Sequence, residues 1–89
     1  MSTETLTAEV EINFPDGKKK MEMVLKPKYE IENCDEGKVV ILNLRNGESH
    51  TGIFKGMDGD EDLMLQSLSL KHTLGYKVWW LSEYWEQVS

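Results

Sequence analysis

Apolar and polar residues alternate along the first part of the chain, and a period of two is the pattern of a half-buried β-strand rather than of a helix. The even positions from Leu6 to Phe14 are apolar, and the odd positions between them are polar. Pro15-Asp16-Gly17 follows, and it combines a fixed φ, a side chain that bonds its own backbone and a residue that tolerates positive φ. Alternation resumes at Met21 and continues to Leu25. The pattern predicts a β-hairpin over residues 5–26.

A second β region begins near residue 38, and its apolar residues fall in both phases of the alternation. The two sets are Val40, Leu42 and Leu44 on one face, and Val39 and Ile41 on the other. A strand with two apolar faces is expected to be covered on both sides.

Asn46-Gly47 ends this strand with a typical hairpin turn, because both residues tolerate positive φ. The next strand is predicted from Glu48 to Met57. It contains Gly52 and Gly56, and glycine inside a strand often marks a bend or a bulge.

Other segments are less regular. Residues 28–36 fit either a short helix that follows Pro27 or a strand. Leucines 63 and 65 are out of phase with leucines 68 and 70, which predicts a bulge near residues 66–67. Leu74-Gly75 is expected to form a turn, and the C-terminus to form two short strands around Ser82-Glu83.

Length and charge limit the classes of function. The 89 residues predict a single domain, residues 1–89. The chain has 10 Lys+Arg against 16 Asp+Glu and a net charge of −6, which opposes non-specific attraction to nucleic acid or to anionic membranes. Its one cysteine, Cys34, excludes an intrachain disulfide and favours a reducing compartment. No segment resembles a signal peptide or a membrane span, so we expect a cytoplasmic protein without a membrane partner.

The spacing of residues 40–65 adds a family resemblance. Apolar residues at 40, 42 and 44 are followed by Gly47, Gly52, Phe54 and Asp58, and leucines at 63 and 65 end the pattern. This resembles the first motif of the Sm/LSm family of small β-barrels, which includes Hfq. The resemblance implies an all-β fold, a strongly bent five-stranded barrel over residues 27–89 with the hairpin of residues 5–26 added, and it favours a short helix at 28–34. It also implies a homo-oligomeric ring of about five to seven subunits and association with RNA or other single-stranded nucleic acid.

The chain departs from the family at the residues that read RNA. In the family a uracil stacks on one residue, hydrogen-bonds to an asparagine and is covered by an arginine. The positions that match are Asp60, Asp62 and Leu81. A carboxylate does not stack on a base, and when ionised it cannot donate to the uracil carbonyls. The resemblance therefore implies that the uridine pocket is degenerate.

The lysines of the hairpin and its end are the candidate phosphate-contacting surface. The alternative is an edge strand that lysines protect from aggregation. These residues are Lys18, Lys19, Lys20, Lys26 and Lys28.

Four aromatic residues crowd the C-terminus, where they could stack on bases or form a subunit interface. They are Trp79, Trp80, Tyr84 and Trp85. Strand alternation would place Val78 and Trp80 on one face and Trp79 and Leu81 on the other. Two apolar faces on a terminal strand favour an oligomer interface.

The acidic turn is a weak candidate for a metal site. Asp58, Asp60 and Asp62 have the spacing at which a calcium loop begins, but Leu63 and Ser69 stand where that loop needs glycine and glutamate. We expect a solvated turn without a metal. No motif for nucleophilic catalysis or phosphate binding is present, so neither catalysis nor a cofactor is expected.

Two functions remain open. The first is an Sm-like ring-forming protein that associates with nucleic acid but lacks the uridine pocket. The alternative is a protein–protein interaction or scaffolding module that does not bind RNA. Nucleic-acid binding through lysines would weaken steeply with salt, whereas an aromatic protein interface would not.

Overall fold

The computed structural model describes residues 6–59, 62–68 and 72–88. In these residues seven antiparallel strands form one open sheet in the order β1-β2-β7-β3-β4-β5-β6, which confirms the all-β prediction. The strands are β1 (Thr7–Phe14), β2 (Gly17–Pro27), β3 (Val39–Leu44), β4 (Ser49–Asp58), β5 (Asp62–Ser67), β6 (Thr73–Lys77) and β7 (Leu81–Gln87). A first 3-10 helix spans Lys28–Asn33 and a second spans Val78–Trp80. Neither is long and apolar enough to cross a membrane.

The N-terminal hairpin forms as predicted. Phe14 pairs with Gly17 across a two-residue turn, and Gly17 has a φ of 138°, which favours glycine. The return strand β2 also pairs with β7, with Leu25 opposite Trp85. The hairpin therefore extends the main sheet instead of standing apart from it.

Strand β3 is buried on both faces, as its sequence predicts. Val40 and Leu42 belong to the larger core, and Val39 belongs to a second cluster in which Ile12 and Met23 of the hairpin are buried. Full burial of an aliphatic side chain of this kind contributes roughly 1.5–3 kcal/mol to folding. The hairpin thus provides the second apolar layer that β3 needs.

Strand β4 approaches β5 closely at Gly52, and its register with β5 shifts a few residues later. A Cβ added at Gly52 would lie 2.5 Å from the carbonyl oxygen of Gln66, so only glycine fits there. The register between β4 and β5 shifts between Phe54 and Met57, next to Gly56 with its φ of 98°. The bulge predicted at residues 66–67 is wrong, because Gln66 and Ser67 pair in regular register with Ile53 and Gly52, and β5 ends at Ser67.

Two predictions near the C-terminus are also wrong. Leu74 and Gly75 do not form a turn but lie inside β6, where they pair with Leu65 and Met64. The break expected at residues 82–83 occurs instead at the second 3-10 helix, and β7 is continuous from Leu81 to Gln87.

The second 3-10 helix also overturns the predicted alternation of residues 78–81. Val78 and Leu81 are both buried, whereas the tryptophans between them are exposed. Residues three apart share a side in a 3-10 turn, which explains why Val78 and Leu81 point the same way. Of the two readings of residues 28–36, the short helix is the one observed, with Ile31 as its buried residue.

Candidate functional site

An apolar groove lies between the second 3-10 helix and the turn that joins β3 to β4. Its volume is about 520 Å³. Trp79 and Trp80 remain 55% and 40% exposed there, although both are large apolar side chains. We call this surface the aromatic groove, and its lining residues are Leu44, Arg45, Asn46, Trp79 and Trp80.

Backbone hydrogen bonds fix the β3–β4 turn that forms one wall of the groove. Gly47 has a φ of 94° and donates to the carbonyl of Leu44 at 3.0 Å. Asn46 Oδ1 accepts from the backbone N–H of Glu48 at 2.9 Å. The Asn-Gly pair, read from the sequence as a turn, therefore sets the position of the residue before it, Arg45.

Arg45 joins the two walls. Its backbone N–H donates to the carbonyl of Trp80 at 2.8 Å, and its Nη1 donates to the carbonyl of Trp79 at 3.5 Å. Arg45 is the one arginine in the sequence. Sequence reasoning missed it, because its contact with the tryptophans is formed by the sheet and not by any local motif.

The aromatic rings continue from the groove along the sheet. Trp79 and Trp80 meet edge to face at 5.9 Å, and Trp80 meets Tyr76 edge to face at 6.4 Å. The hydroxyl of Tyr76 lies 3.3 Å from Nδ1 of His50, and Nε2 of His50 lies 3.3 Å from Glu48 Oε2. Burial, with the charge of Glu48, raises the pKa of Tyr76, so its hydroxyl stays protonated and is a poor nucleophile. Edge-to-face contacts of this kind hold the rings in place.

The structure separates the four C-terminal aromatic residues. Trp79 and Trp80 lie together in the groove. Tyr84 is fully buried in the larger core, and Trp85 is half-buried against the second cluster. Of the four, Trp79 and Trp80 are the two whose side chains are exposed.

The five candidate lysines do not form one patch. Lys18 and Lys26 both lie in β2, and at about 3.3 Å per residue they are roughly 26 Å apart, which exceeds a Debye length at physiological salt. At the tip, Lys18 lies 3.7 Å from Glu11 and Lys19 lies over the ring of Phe14, while Lys20 is exposed. At the far end, Lys28 lies over the ring of Tyr29.

Lys26 belongs to a buried polar cluster around Glu86, which sequence reasoning missed. Lys26 and Lys38 donate to Glu86 Oε2 at 3.2 and 3.4 Å, and the hydroxyl of Tyr84 donates to Oε1 at 2.9 Å. The only sequence signal was a glutamate two residues after Tyr84, in the same phase of the strand.

Burial and hydrogen bonds shift the pKa values of three residues in and beside this cluster. Burial acts to raise the pKa of Glu86, but hydrogen bonds from Tyr84 and Lys26 outweigh it, so the pKa lies below the usual 4.5. Burial, reinforced by Glu86, raises the pKa of the Cys34 thiol from 9.0 to about 12. Burial and the hydrogen bond to Glu86 also raise the pKa of Tyr84. Near neutral pH Glu86 is therefore ionised, while the Cys34 thiol and the Tyr84 hydroxyl keep their protons. The cluster ties the hairpin to the rest of the sheet.

Of the three residues at the family's uridine pocket, two are described. Asp62 pairs with Lys77, and Leu81 is fully buried in the larger core. Asp60 lies outside the described residues. Asp58 and Asp62 face each other across the β4–β5 hairpin, and among the described residues no group of three or more His, Cys, Asp or Glu could hold a metal ion.

No protein-family model, no curated protein and no solved structure matches this chain. The resemblance to the Sm/LSm family therefore depends on the spacing of residues 40–65 alone. The aromatic groove is the surface on which two exposed tryptophans and the arginine of this chain come together.

Proposed function

We propose that this chain is a non-enzymatic, self-associating binding protein built on an Sm-like barrel, and that the aromatic groove is where it contacts other proteins. The observation that carries this proposal is the pair of exposed tryptophans beside the chain's one arginine. Trp and Arg are the residues that contribute most often to the energetic centre of a protein interface.

Several features of the fold support the Sm-like part of the proposal. The last five strands lie in the order β7-β3-β4-β5-β6, so the final strand of the chain returns beside the first of the five. Gly52 makes the close approach at which the motif requires a sharp bend. A short 3-10 helix precedes β3, where the resemblance implies a helix.

Protein is favoured over RNA as the ligand because the RNA-reading chemistry is missing. Asp62 is held in an ion pair, and Leu81 is in the core, where it cannot cover a base. The net charge of −6 also repels phosphates. The groove instead combines apolar rings with one cation, which suits an apolar or aromatic anchor next to a carboxylate.

A selection from a displayed library of random peptides tests this function. Immobilised native protein should enrich peptides in which an acidic residue stands near an aromatic or large aliphatic residue. Trp80→Ala and Arg45→Gln should each weaken binding of the selected peptides at least tenfold. Truncating a side chain at the energetic centre of an interface typically costs about 2 kcal/mol or more of binding free energy.

Tyr29→Ala is the matched control for the selection. Tyr29 is an aromatic residue that is 68% exposed but lies outside the groove, so its loss should leave binding unchanged. Selected peptides that bind the Trp80→Ala protein as well as the native protein would show that the groove is not the site.

A second candidate function rests on the hairpin tip. Lys18, Lys19 and Lys20 are all exposed there, which is the arrangement of a sequence-independent phosphate contact. If single-stranded nucleic acid binds at this tip, changing all three to glutamate should abolish binding while the fold is retained, because Met23 carries the buried face of β2. For a mixed-sequence oligonucleotide, the slope of the logarithm of the binding constant against the logarithm of the salt concentration should become shallower by about 1 per lost contact.

A further inference from the structure

Strand β1 forms an open edge of the sheet, because β2 pairs with it on one side and no strand of the described residues pairs with it on the other. It is 8 residues long, and it lacks the lysine, proline or bulge with which proteins usually protect such an edge. An open edge can take up an extended segment as a further strand. Main-chain hydrogen bonds then provide affinity, and pockets for alternate side chains provide specificity.

The backbone groups that β1 presents can be assigned from its pairing with β2. The N–H of Leu25 donates to the carbonyl of Leu6, and Phe14 pairs with Gly17 at the two-residue turn. In an antiparallel ladder the bonded positions alternate, so even residues of β1 bond to β2. The odd residues direct their N–H and C=O groups outward, and these are Thr7, Glu9, Glu11 and Asn13. Together they allow about eight main-chain hydrogen bonds to an antiparallel strand.

A cavity of about 270 Å³ lies beside this edge. Its apolar lining residues all belong to the second hydrophobic cluster, and they are Val10, Ile12, Ile41 and Leu68. Its other lining residues are polar, and they are Glu11, Asn13, Thr51 and Ser67. A mixed lining of this kind suits a side chain with an apolar body and a polar tip, such as tyrosine. The cavity thus provides a pocket for one side chain of an added strand.

Glu9 and Glu22 place two like charges together next to the edge. They stand directly opposite each other in β1 and β2, at a position where the strands are not hydrogen-bonded and the side chains come closest. Both are exposed, and neither forms an ion pair with a described residue. Like charges opposite each other destabilise a strand pair, so a cation bound here would relieve their repulsion.

This charge favours a basic segment as the occupant of the edge. The net charge of −6 also attracts a cationic partner at long range. A second copy of the chain is not favoured, because two β1 edges would bring their glutamates together. At β6, the other open edge among the described residues, the basic residue Lys77 is ion-paired with Asp62.

We propose that the β1 edge binds an extended basic segment of another protein as an antiparallel strand. Its basic residues lie on the face of Glu9 and Glu22, and they alternate with residues of apolar body and polar tip. Successive side chains of a strand point to opposite faces, so the alternate residues lie on the face of Val10 and Ile12, where one enters the cavity. The cavity shares no lining residue with the aromatic groove, so this surface is additional to the proposed function.

Calorimetric titration with a capped peptide of alternating lysine and tyrosine, as long as β1, tests the inference. Residues opposite Glu9 and Glu11 exchange both main-chain hydrogen bonds with β1, so the lysine N–H groups point at β1 and the tyrosine N–H groups point away. N-methylation of the lysines should therefore weaken binding at least about tenfold, because several hydrogen bonds are lost. N-methylation of the tyrosines is the matched control and should leave binding unchanged.

Variants of the protein locate the contact. Glu9→Gln should weaken binding of the peptide and make it less dependent on salt. Glu32→Gln, which makes the same change of charge at an exposed position outside the edge, should not. Glu11→Pro removes an outward N–H while the ladder to β2 is retained, so it should weaken binding more than Glu11→Gln does. Circular dichroism checks that each variant is folded, and Trp80→Ala should bind this peptide as the native protein does.

Several results would overturn the inference. An absence of saturable binding would do so, and equal binding of the lysine-methylated peptide would show that charge alone attracts it. Unchanged binding to Glu11→Pro would place the site away from the edge, and loss of binding in Trp80→Ala would place it in the groove. A native oligomer that Glu11→Pro dissociates and that does not bind the peptide would assign the edge to a second copy. Each of these leaves the peptides selected at the groove as a separate test of the proposed function.

Discussion

At the scale of single residues, Glu86 joins segments that are far apart in the chain. Its lysine partners stand 60 and 48 residues away in sequence. The carboxylate is buried, whereas both ammonium groups retain access to water. Removing the carboxylate therefore leaves the lysines hydrated and leaves the buried hydroxyl of Tyr84 without its acceptor.

We expect Glu86→Ala to lower the free energy of unfolding by roughly 1–3 kcal/mol, which is the cost of leaving a buried polar group unsatisfied. Urea unfolding followed by tryptophan fluorescence measures the change. Glu22→Ala, at an exposed position of β2, is the control and should alter stability by no more than about 0.5 kcal/mol. Equal effects of the two substitutions would mean that the cluster does not hold the hairpin in place.

The same cluster predicts how stability depends on acid. The pKa of Glu86 is lowered in the folded protein, so its stabilising contribution is present above the ordinary value of 4.5 and is lost as the pH falls through the folded pKa. Stability measured from pH 6 to pH 3 should therefore decline, and part of that decline should vanish in Glu86→Gln. An identical decline in that variant would assign the acid sensitivity to other carboxylates.

On the alkaline side the effect of pH is reversed, and stability is expected to fall as the pH rises. The pKa of Cys34 is raised from 9.0 to about 12, so its contribution is complete below 9.0 and is lost as the pH rises through that interval. Cys34→Ala should flatten the loss of stability above pH 9. The thiol should also react slowly with iodoacetamide at pH 8, because little thiolate is present.

At the scale of elements, Gly52 determines how closely β4 approaches β5. A Cβ there would lie 2.5 Å from a backbone oxygen and 2.7 Å from Leu65 Cγ, so the two strands would have to separate. We expect Gly52→Ala to destabilise the protein by about 1–3 kcal/mol through overpacking. Gly75→Ala, whose Cβ has room, is the matched control, and thermal unfolding compares the two. Equal melting temperatures would mean that the close approach of the two strands does not depend on Gly52.

Elements were predictable from sequence where local patterns determine them. The hairpin and the doubly apolar β3 were predicted because alternation and turn residues act over a few positions. The second 3-10 helix was not predicted. Residues 78–81 are all apolar, and such a run fits a strand as well as a 3-10 turn. The contact of Arg45 with the tryptophans was missed for a different reason, because only the completed sheet brings them together.

Burial of Leu81 also changes how the family resemblance can be tested. The family resemblance implies that the double substitution Asp62→Asn and Leu81→Arg would rebuild a uridine pocket. Leu81 is fully buried, so an arginine there would place an unpaired cation in the core and unfold the protein. Asp62→Asn alone is the usable variant, and we expect it to leave oligouridine binding weak.

At the scale of the whole molecule, seven antiparallel strands form one open sheet among the described residues, and the aromatic groove lies where the β3–β4 turn meets the second 3-10 helix. The Sm-like spacing of residues 40–65 includes Gly52, where β4 approaches β5 closely, and residues 44–46 of the aromatic groove, whereas the groove tryptophans and the hairpin lie outside it. We propose that a chain with this arrangement contacts proteins through the groove, because a fold by itself does not determine the ligand.

Calorimetric titration of the native protein with a selected peptide and with oligouridine, in the same low-salt buffer, separates protein binding from RNA binding. We expect saturable heat for the peptide, at least a tenfold loss of affinity in Trp80→Ala, and no saturable heat for oligouridine. Tight binding of oligouridine, or peptide binding that Trp80→Ala leaves unchanged, would contradict it.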